Sequence, residues 1–301
     1  MDRLIDITIP YWGEPALLKA AVDSVRAQTS PDWRLTVIDD CYPDPRGGQI
    51  FDSIDDPRIV YRRNETNLGV TGNFRQCIAA ASADHTVIMG CDDILLPNYV
   101  DTLTQATARF PKADIVQPGV VVVDDAGKPA MGLADTVKQR LLAPSDKRPA
   151  MLVGEQAAVS LLRGDWLYWP SLVFKTATIQ RHDFRDGFPV IQDLALLIDM
   201  VLDGASLLYY PTTAFAYRRH RSSASQLAAA AGDRFADEAR YYRLASQLMA
   251  DAGWKRAART ARHRTISRLH AVSLLPGALA ARDRGLVRQL RRHVFEGLGR
   301  S

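Results

Sequence analysis

Cysteine is scarce in this sequence of 301 residues: Cys41, Cys77 and Cys91, with no CxxC spacing. Three thiols so placed make neither a disulfide framework nor a zinc site, and they suit a reducing compartment. Long hydrophobic runs are missing too. The longest nearly uncharged apolar run, Ala271 to Ala281, contains Pro276 and Gly277 and is too short to span a bilayer. The opening MDRLIDITIPYWGE has no cationic stretch ahead of an apolar core, so no secretory signal is expected. Glycine is absent where nucleotide folds need it. No GxGxxG follows the first predicted strand and no Walker loop occurs, which argues against nicotinamide, flavin and P-loop chemistry. What is there, 47% apolar and 24% charged residues, is the mixture of an ordinary soluble protein, and a cytoplasmic location is expected. The length fits two average domains, or one large α/β domain with an appendage.

The net charge of +4 hides an asymmetry. Residues 254–301 carry twelve Lys or Arg against Asp283 and Glu296, a local +10, which leaves −6 on residues 1–253. An anionic partner of the body must therefore be held locally and not by a broad field.

Short β-branched runs at Ile5–Ile9, Leu35–Ile38, Ile59–Tyr61 and Thr86–Met89 alternate with amphipathic stretches at Glu14–Gln28 and Val70–Ser82. This alternation predicts a mainly parallel sheet with helices on both faces and ligands at the carboxyl ends of its strands. A helix at Asn98–Phe110 and a strand at Ile115–Val123 follow, then a turn-rich stretch, Asp124–Pro149, expected to be a mobile loop. Further on come a helix at Glu155–Leu162, the aromatic segment Trp166–Trp169 and a strand at Ser171–Phe174. A helix at Asp193–Leu202 and separate strands at Ser206–Tyr210 and Ala214–Tyr217 complete this part. From Asp233 the pattern is helical. Trp254, Ala258, Ala261, Leu269 and Val272 share one face, as do Leu286, Leu290, Val294 and Leu298. The expected division is 1–225, with halves 1–123 and 151–225, followed by a basic helical region at 226–301.

Three strand ends carry chemistry. Pro10-Tyr11-Trp12-Gly13-Glu14 follows the first, Asp39-Asp40 the second, and Gly90-Cys91-Asp92-Asp93 the fourth. Carboxylates where phosphate loops have glycines point to a nucleotide diphosphate bridged through a hard cation, Mg²⁺ or Mn²⁺. Asp39-Asp40 can accept hydrogen bonds from a ribose or a base, and Tyr11 or Trp12 can stack on the base. An Asp between strand and helix is also an ordinary cap or turn residue, and Asp193 in particular reads well as an N-cap. His220, among Arg218, Arg219 and Arg221, reads first as an exposed loop histidine, with a contact for metal or phosphate as the alternative.

In order along residues 4–225, these motifs resemble glycosyltransferases of family 2 with the GT-A fold. The stretch AVDSVRAQTSPDWRLTVIDDCYPD, the turn Arg63-Asn64-x-x-Asn67-Leu68-Gly69 with Asn73-Phe74, Asp92-Asp93 with Leu96-Pro97, Gln192-Asp193 and Tyr217-Arg218-x-His220 carry the resemblance. It implies a GT-A Rossmann-like α/β fold and an inverting, hexosyltransferase-like enzyme taking a nucleoside-diphosphate sugar. Pro10, Tyr11, Glu14, Asp39, Asp40, Asn67, Gly69, Arg75 and Asp92 would bind that donor. Asp92, Asp93 and His220 would hold Mn or Mg, and Asp193 would be the catalytic base. Three departures stand out: the first acid of the family's DxD is Gly90 or Cys91 here, Gln192 replaces a Glu, and Cys41-Tyr42 replaces Gly-Ser.

Trp166 and Trp169 offer a sugar platform, with Arg218 and Arg219 near acceptor or diphosphate, although aromatic clusters more often pack a core. A glycan or glycolipid is the expected acceptor. The basic tail reads as helices packing on the body or on a second copy (a homodimer), or as a peripheral anchor on the inner membrane face through helices 254–272 and 286–298. Nucleic acid is not an expected partner, because the tail lacks interleaved aromatics. Two rival readings stay open: a sugar-nucleotide nucleotidyltransferase, and a catalytically silent nucleotide-binding or scaffold protein.

Overall fold

A computed structural model describes residues 4–144, 148–219 and 233–295. The strand–helix alternation is there. β1 (Ile5–Tyr11), β2 (Trp33–Asp39), β3 (Ile59–Arg63) and β4 (His85–Ile88) alternate with α1 (Pro15–Arg26), a single turn α2 (Arg46–Gln49) and α3 (Gly69–Ala80). β1 pairs in parallel with β2 and β4, and β2 with β3. Neighbours on a strand point to opposite faces. Val37 and Val87 thus enter the core on one side of the sheet, and Ile38 and Ile88 the core on the other. α1 buries Leu18, Ala21, Val22 and Val25 from one face, and Pro15 opens it where a missing N–H costs nothing.

The remainder of the body comprises β5 (Ile94–Leu95), α4 (Tyr99–Arg109), β6 (Ile115–Val123), α5 (Leu133–Val137), β7 (Ala150–Leu152), α6 (Gly154–Arg163), β8 (Val173–Lys175), α7 (Thr176–Ile179), α8 (Gln192–Leu202) and β9 (Leu207–Arg218). Strand order is β3-β2-β1-β4-β8-β6-β9-β5, with β7 also on β9. β5, β7 and β8 run against the other six strands, so the sheet is mixed with one predominant direction. The two strands expected at 206–210 and 214–217 are one: β9 continues through a register shift opposite Pro118 and Gly119. A Cβ on Gly119 would lie 2.9 Å from the Pro211 carbonyl, so only glycine lets the backbones approach there.

Residues 124–144 are not the free loop expected. Asp124 Oδ1 accepts the N–H groups of Ala126 and Lys128. Fully buried Asp135, on α5, accepts from Arg219, from the Tyr168 hydroxyl and from the Gly132 N–H. Gln139 donates to the Val120 carbonyl. The segment is therefore pinned to β6 and to the end of β9.

Four helices follow: α9 (Asp233–Asp251), α10 (Lys255–His263), α11 (Thr265–Ala280) and α12 (Arg284–Phe295). α9 and α10 sink Tyr241, Tyr242, Ala245, Met249, Ala257 and Ala261 into the main core. Glu155 on α6 receives the first N–H groups of α10, those of Arg256 and Ala257. α11 and α12 instead form a satellite cluster with Phe235. The single stripe expected over 254–272 is broken, because Arg264 takes a left-handed backbone, φ 38°, and ends α10. Leu269 and Val272 are exposed in consequence. Leu286, Leu290 and Val294 share an inward face as expected; Leu298 lies outside the described residues. Among the described residues no helix is long and apolar enough to cross a membrane.

Candidate active site

The three strand ends converge as the topology requires. β1, β2 and β4 are adjacent and parallel, so residues 10–14, 39–42 and 90–93 share one sheet edge. Side chains link them. The Trp12 ring meets Tyr42 edge-to-face at 5.2 Å, and the Cys91 thiol lies 3.9 Å from the Trp12 carbonyl. Burial, reinforced by the charge of Asp92, pushes the Cys91 thiol up to about 12.

Asp39 is fully buried and accepts three hydrogen bonds, from the Tyr42 N–H at 2.7 Å and from the Tyr61 hydroxyl and Arg63 at 2.5 Å each. Burial first, and the bond to Asp39 second, push the Tyr61 phenol up to about 12. Asp40 accepts from Asn64 and from the Leu68 N–H. Asn64 donates also to Asn73, and Asn73 donates to the Ile38 carbonyl. The asparagines of the motif therefore knot the β2 end to the start of α3. Asn67 caps the turn by accepting the Gly69 N–H, and Gly69 sits at φ 72°, where any side chain is strained. Cys41 adopts φ 63° without being glycine, at the position where the family pattern has Gly.

Asp92 and Asp93 explain the missing first acid. A Cβ on Gly90 would lie 2.5 Å from Asp93 Oδ2 and 2.8 Å from Asp92 Oδ1, so a side chain at that position would have to push the two carboxylates aside. The cradle that a Cβ would fill brings two carboxylate oxygens to one point, the donor type that Mg²⁺ and Mn²⁺ take. Among the described residues no three His, Cys, Asp or Glu side chains gather around a metal position. Asp92 and Asp93 would be the residues to hold such a cation, supplying only part of the oxygens it takes. Asp93 is buried; desolvation and its neighbour Asp92 raise its carboxyl well above the usual range, and its Oδ1 accepts the Arg218 N–H at 2.9 Å. His220 lies outside the described residues.

Asp193 is the second residue of α8, with Ile191 as cap, so it is not the N-cap expected. It is half-buried, and its Oδ1 contacts the Leu194 N–H. Its neighbour Gln192 accepts the Thr71 hydroxyl at 2.5 Å, which brings the start of α8 to the start of α3 and hence to the edge carrying Asp40.

Other expected residues sit elsewhere or act differently. Tyr11 is fully buried, its hydroxyl donating to the Gly13 carbonyl and its ring closing on Gly47, so it cannot stack on a base; exposed Trp12 is the aromatic at the rim. Pro10 is half-buried opposite Ile38, and Glu14 is exposed at the cap of α1. Arg75 turns to Asp183, Asp186 and the Phe184 carbonyl, away from the 39/40 pair. Trp166 and Trp169 are core residues, not a sugar platform: Trp166 packs on Tyr209, and Trp169 among Phe74, Phe174 and Phe184. Arg218 is a strap, donating to the carbonyls of Asp92 and Asp125, and Arg219 is taken by Asp135. Exposure decides Trp12 against Tyr11, and it is not readable from spacing.

Residues 6–151 match the family model for Glycosyl transferase family 2. The succinoglycan biosynthesis protein ExoW of Rhizobium meliloti (strain 1021) is 25% identical over 204 residues, which cover 66% of this chain and 63% of ExoW. The chain spans between 13% and 63% of the length of the curated relatives it matches. The fold is that of S. aureus TarS 1–349, TM-score 0.68 at 12% identity over 97% of this chain and 81% of that one. It is shared with the mannosyltransferase PcManGT from Pyrobaculum calidifontis in complex with GDP-Man and Mn²⁺, TM-score 0.58 at 13% identity over 98% and 87%. Residues 6–151 thus match the model of glycosyl transferase family 2, and the chain as described has the GT-A fold of these solved structures.

Proposed function

We propose that the protein is an inverting glycosyltransferase that moves a sugar from a nucleoside-diphosphate sugar to an acceptor hydroxyl in cell-surface glycan or glycolipid synthesis. One observation carries the reading: the Asp92 and Asp93 oxygens converge where a Gly90 side chain would be, at the edge shared with Asp39, Asp40 and Trp12. Asp92 and Asp93 would hold Mn²⁺ or Mg²⁺, which when bound neutralises charge on the departing diphosphate. Trp12, half exposed and braced by Tyr42, offers its face to the base. Asp39 acts as a positioning residue, orienting Arg63 and the Tyr42 backbone.

Asp193 takes the proton from the acceptor hydroxyl as that oxygen attacks the anomeric carbon opposite the leaving diphosphate. A placed base contributes about 10²–10⁴-fold. In Asp193→Asn, nucleoside-diphosphate release in the presence of acceptor is expected to fall by about that factor, while donor binding by calorimetry stays unchanged. Turnover close to the parent would remove Asp193 from the role.

A further inference from the structure

Between α11 and α12 lies a cavity of about 510 Å³ whose walls are Arg282, Arg284, Arg288 and Arg291 together with Ala278, Leu279 and Val287. Among the described residues no acid lines it. Asp283, the acid between the two helices, is occupied in accepting the Leu286 N–H.

Folding alone accounts poorly for this concentration of guanidinium groups. Arg284, Arg288 and Arg291 follow at i, i+4 and i+7 on one helix, a spacing that stacks like charges on a single face. Arg284 also starts α12, the helix end that disfavours a cation. Arg282 takes a left-handed backbone, φ 54°, with its N–H on the Leu279 carbonyl and the Asp283 N–H on the Ala278 carbonyl. That is the position after a helix where glycine is usual and a side chain is strained. Each feature works against the stability of the isolated chain, and an anion in the cleft relieves the two electrostatic ones, the stacked like charges and the cation at the start of α12.

The apolar surroundings say which anion. Leu269, Val272 and Leu279 share the outer face of α11 at i, i+3 and i+10, and all three are exposed, Leu279 at 62%. Leu279 also forms part of the cavity wall. An arginine cleft bordered by exposed apolar side chains suits an anionic headgroup with its acyl chains beside it. We infer that the α11–α12 cleft seats the phosphate of an anionic membrane lipid, with Leu269, Val272 and Leu279 against its acyl chains. The inference goes beyond the transferase reading and does not depend on it, since binding is measured without donor or acceptor.

The test is co-sedimentation of the full chain with phosphatidylcholine vesicles, with and without phosphatidylglycerol, over a salt series. Binding is expected only to the vesicles containing phosphatidylglycerol and is expected to weaken as salt rises. Arg288→Gln with Arg291→Gln is expected to lower affinity about 25-fold, about fivefold per arginine. Arg282→Gly is expected to lower affinity about fivefold while melting no lower than the parent, because glycine relieves the left-handed backbone. A purely structural role would lower melting and binding together. Equal binding to both vesicle types, or unchanged affinity in the Arg288/Arg291 variant, overturns the inference. Release from the vesicles by inorganic phosphate at constant ionic strength assigns the cleft to a free phosphate and overturns the lipid as occupant.

Discussion

Asp93 is the residue at which stability and the proposed activity oppose each other. Its carboxyl is buried beside Asp92, and the backbone N–H and the charge of Arg218 offset only part of what burial and Asp92 cost a negative charge there. A buried like-charged pair is unfavourable unless a cation joins it. Asp93→Asn keeps the oxygen that accepts the Arg218 N–H and removes the charge. Differential scanning fluorimetry is expected to show it melting about 2–4 °C above the parent for each kcal/mol relieved. Added Mn²⁺ should raise the melting temperature of the parent and not of the variant, and the variant should lose transfer. A variant that melts lower and still responds to Mn²⁺ would show the pair to be a structural device only. Legibility at this scale was uneven. Asp92 and Asp93 stood out because two acids at a strand end are a chemical pattern, but the tryptophans were read as a platform because a sequence shows aromatic rings without showing what covers them.

Elements were easier to read. β1 to β4 and the helices between them follow from apolar period, since Val37 and Ile38 must bury on opposite faces of one strand. The end of α10 was not legible, because Arg264 provides a left-handed turn that glycine or asparagine usually signals. Neither was the unity of β9, whose bend depends on how closely Gly119 lets the Pro211 carbonyl approach. The join of β2 to α3 rests on Asn73, buried and bonded at once to the Ile38 carbonyl and to Asn64. Asn73→Ala leaves that carbonyl without its donor inside the core. Urea unfolding is expected to show a loss of about 1–3 kcal/mol, and donor affinity should fall with it, because Asp40 and the 67–69 turn belong to the same knot. Unchanged donor affinity in a destabilised variant would confine Asn73 to folding.

Across the whole molecule, burial and charge draw different boundaries. The charge count places the change near residue 254, whereas the core runs on through α9 and α10 and stops at Arg264. Helices 233–263 bury Tyr241 and Met249 in the main core and so belong to the body, and α11 and α12 stand on it as a separate layer. A chain shortened to end at His263 is expected to retain one cooperative thermal transition by circular dichroism and unchanged donor binding. Loss of that transition would show the outer layer to be part of the body's cooperative unit. The general architecture was legible because repeated strand–helix units leave few ways to bury their faces. The seam at 264 was not, because arginine-rich helices look alike whether they cover a core or a neighbouring layer.

The tether of Asp135 to Arg219 reaches further than the segment it pins. Arg219 follows Arg218, whose backbone is gripped by Asp93, so a displacement of residues 132–139 arrives at the acidic pair within two peptide units. Redesigning that segment would therefore disturb Asp92 and Asp93 as well, unless Asp135 is kept.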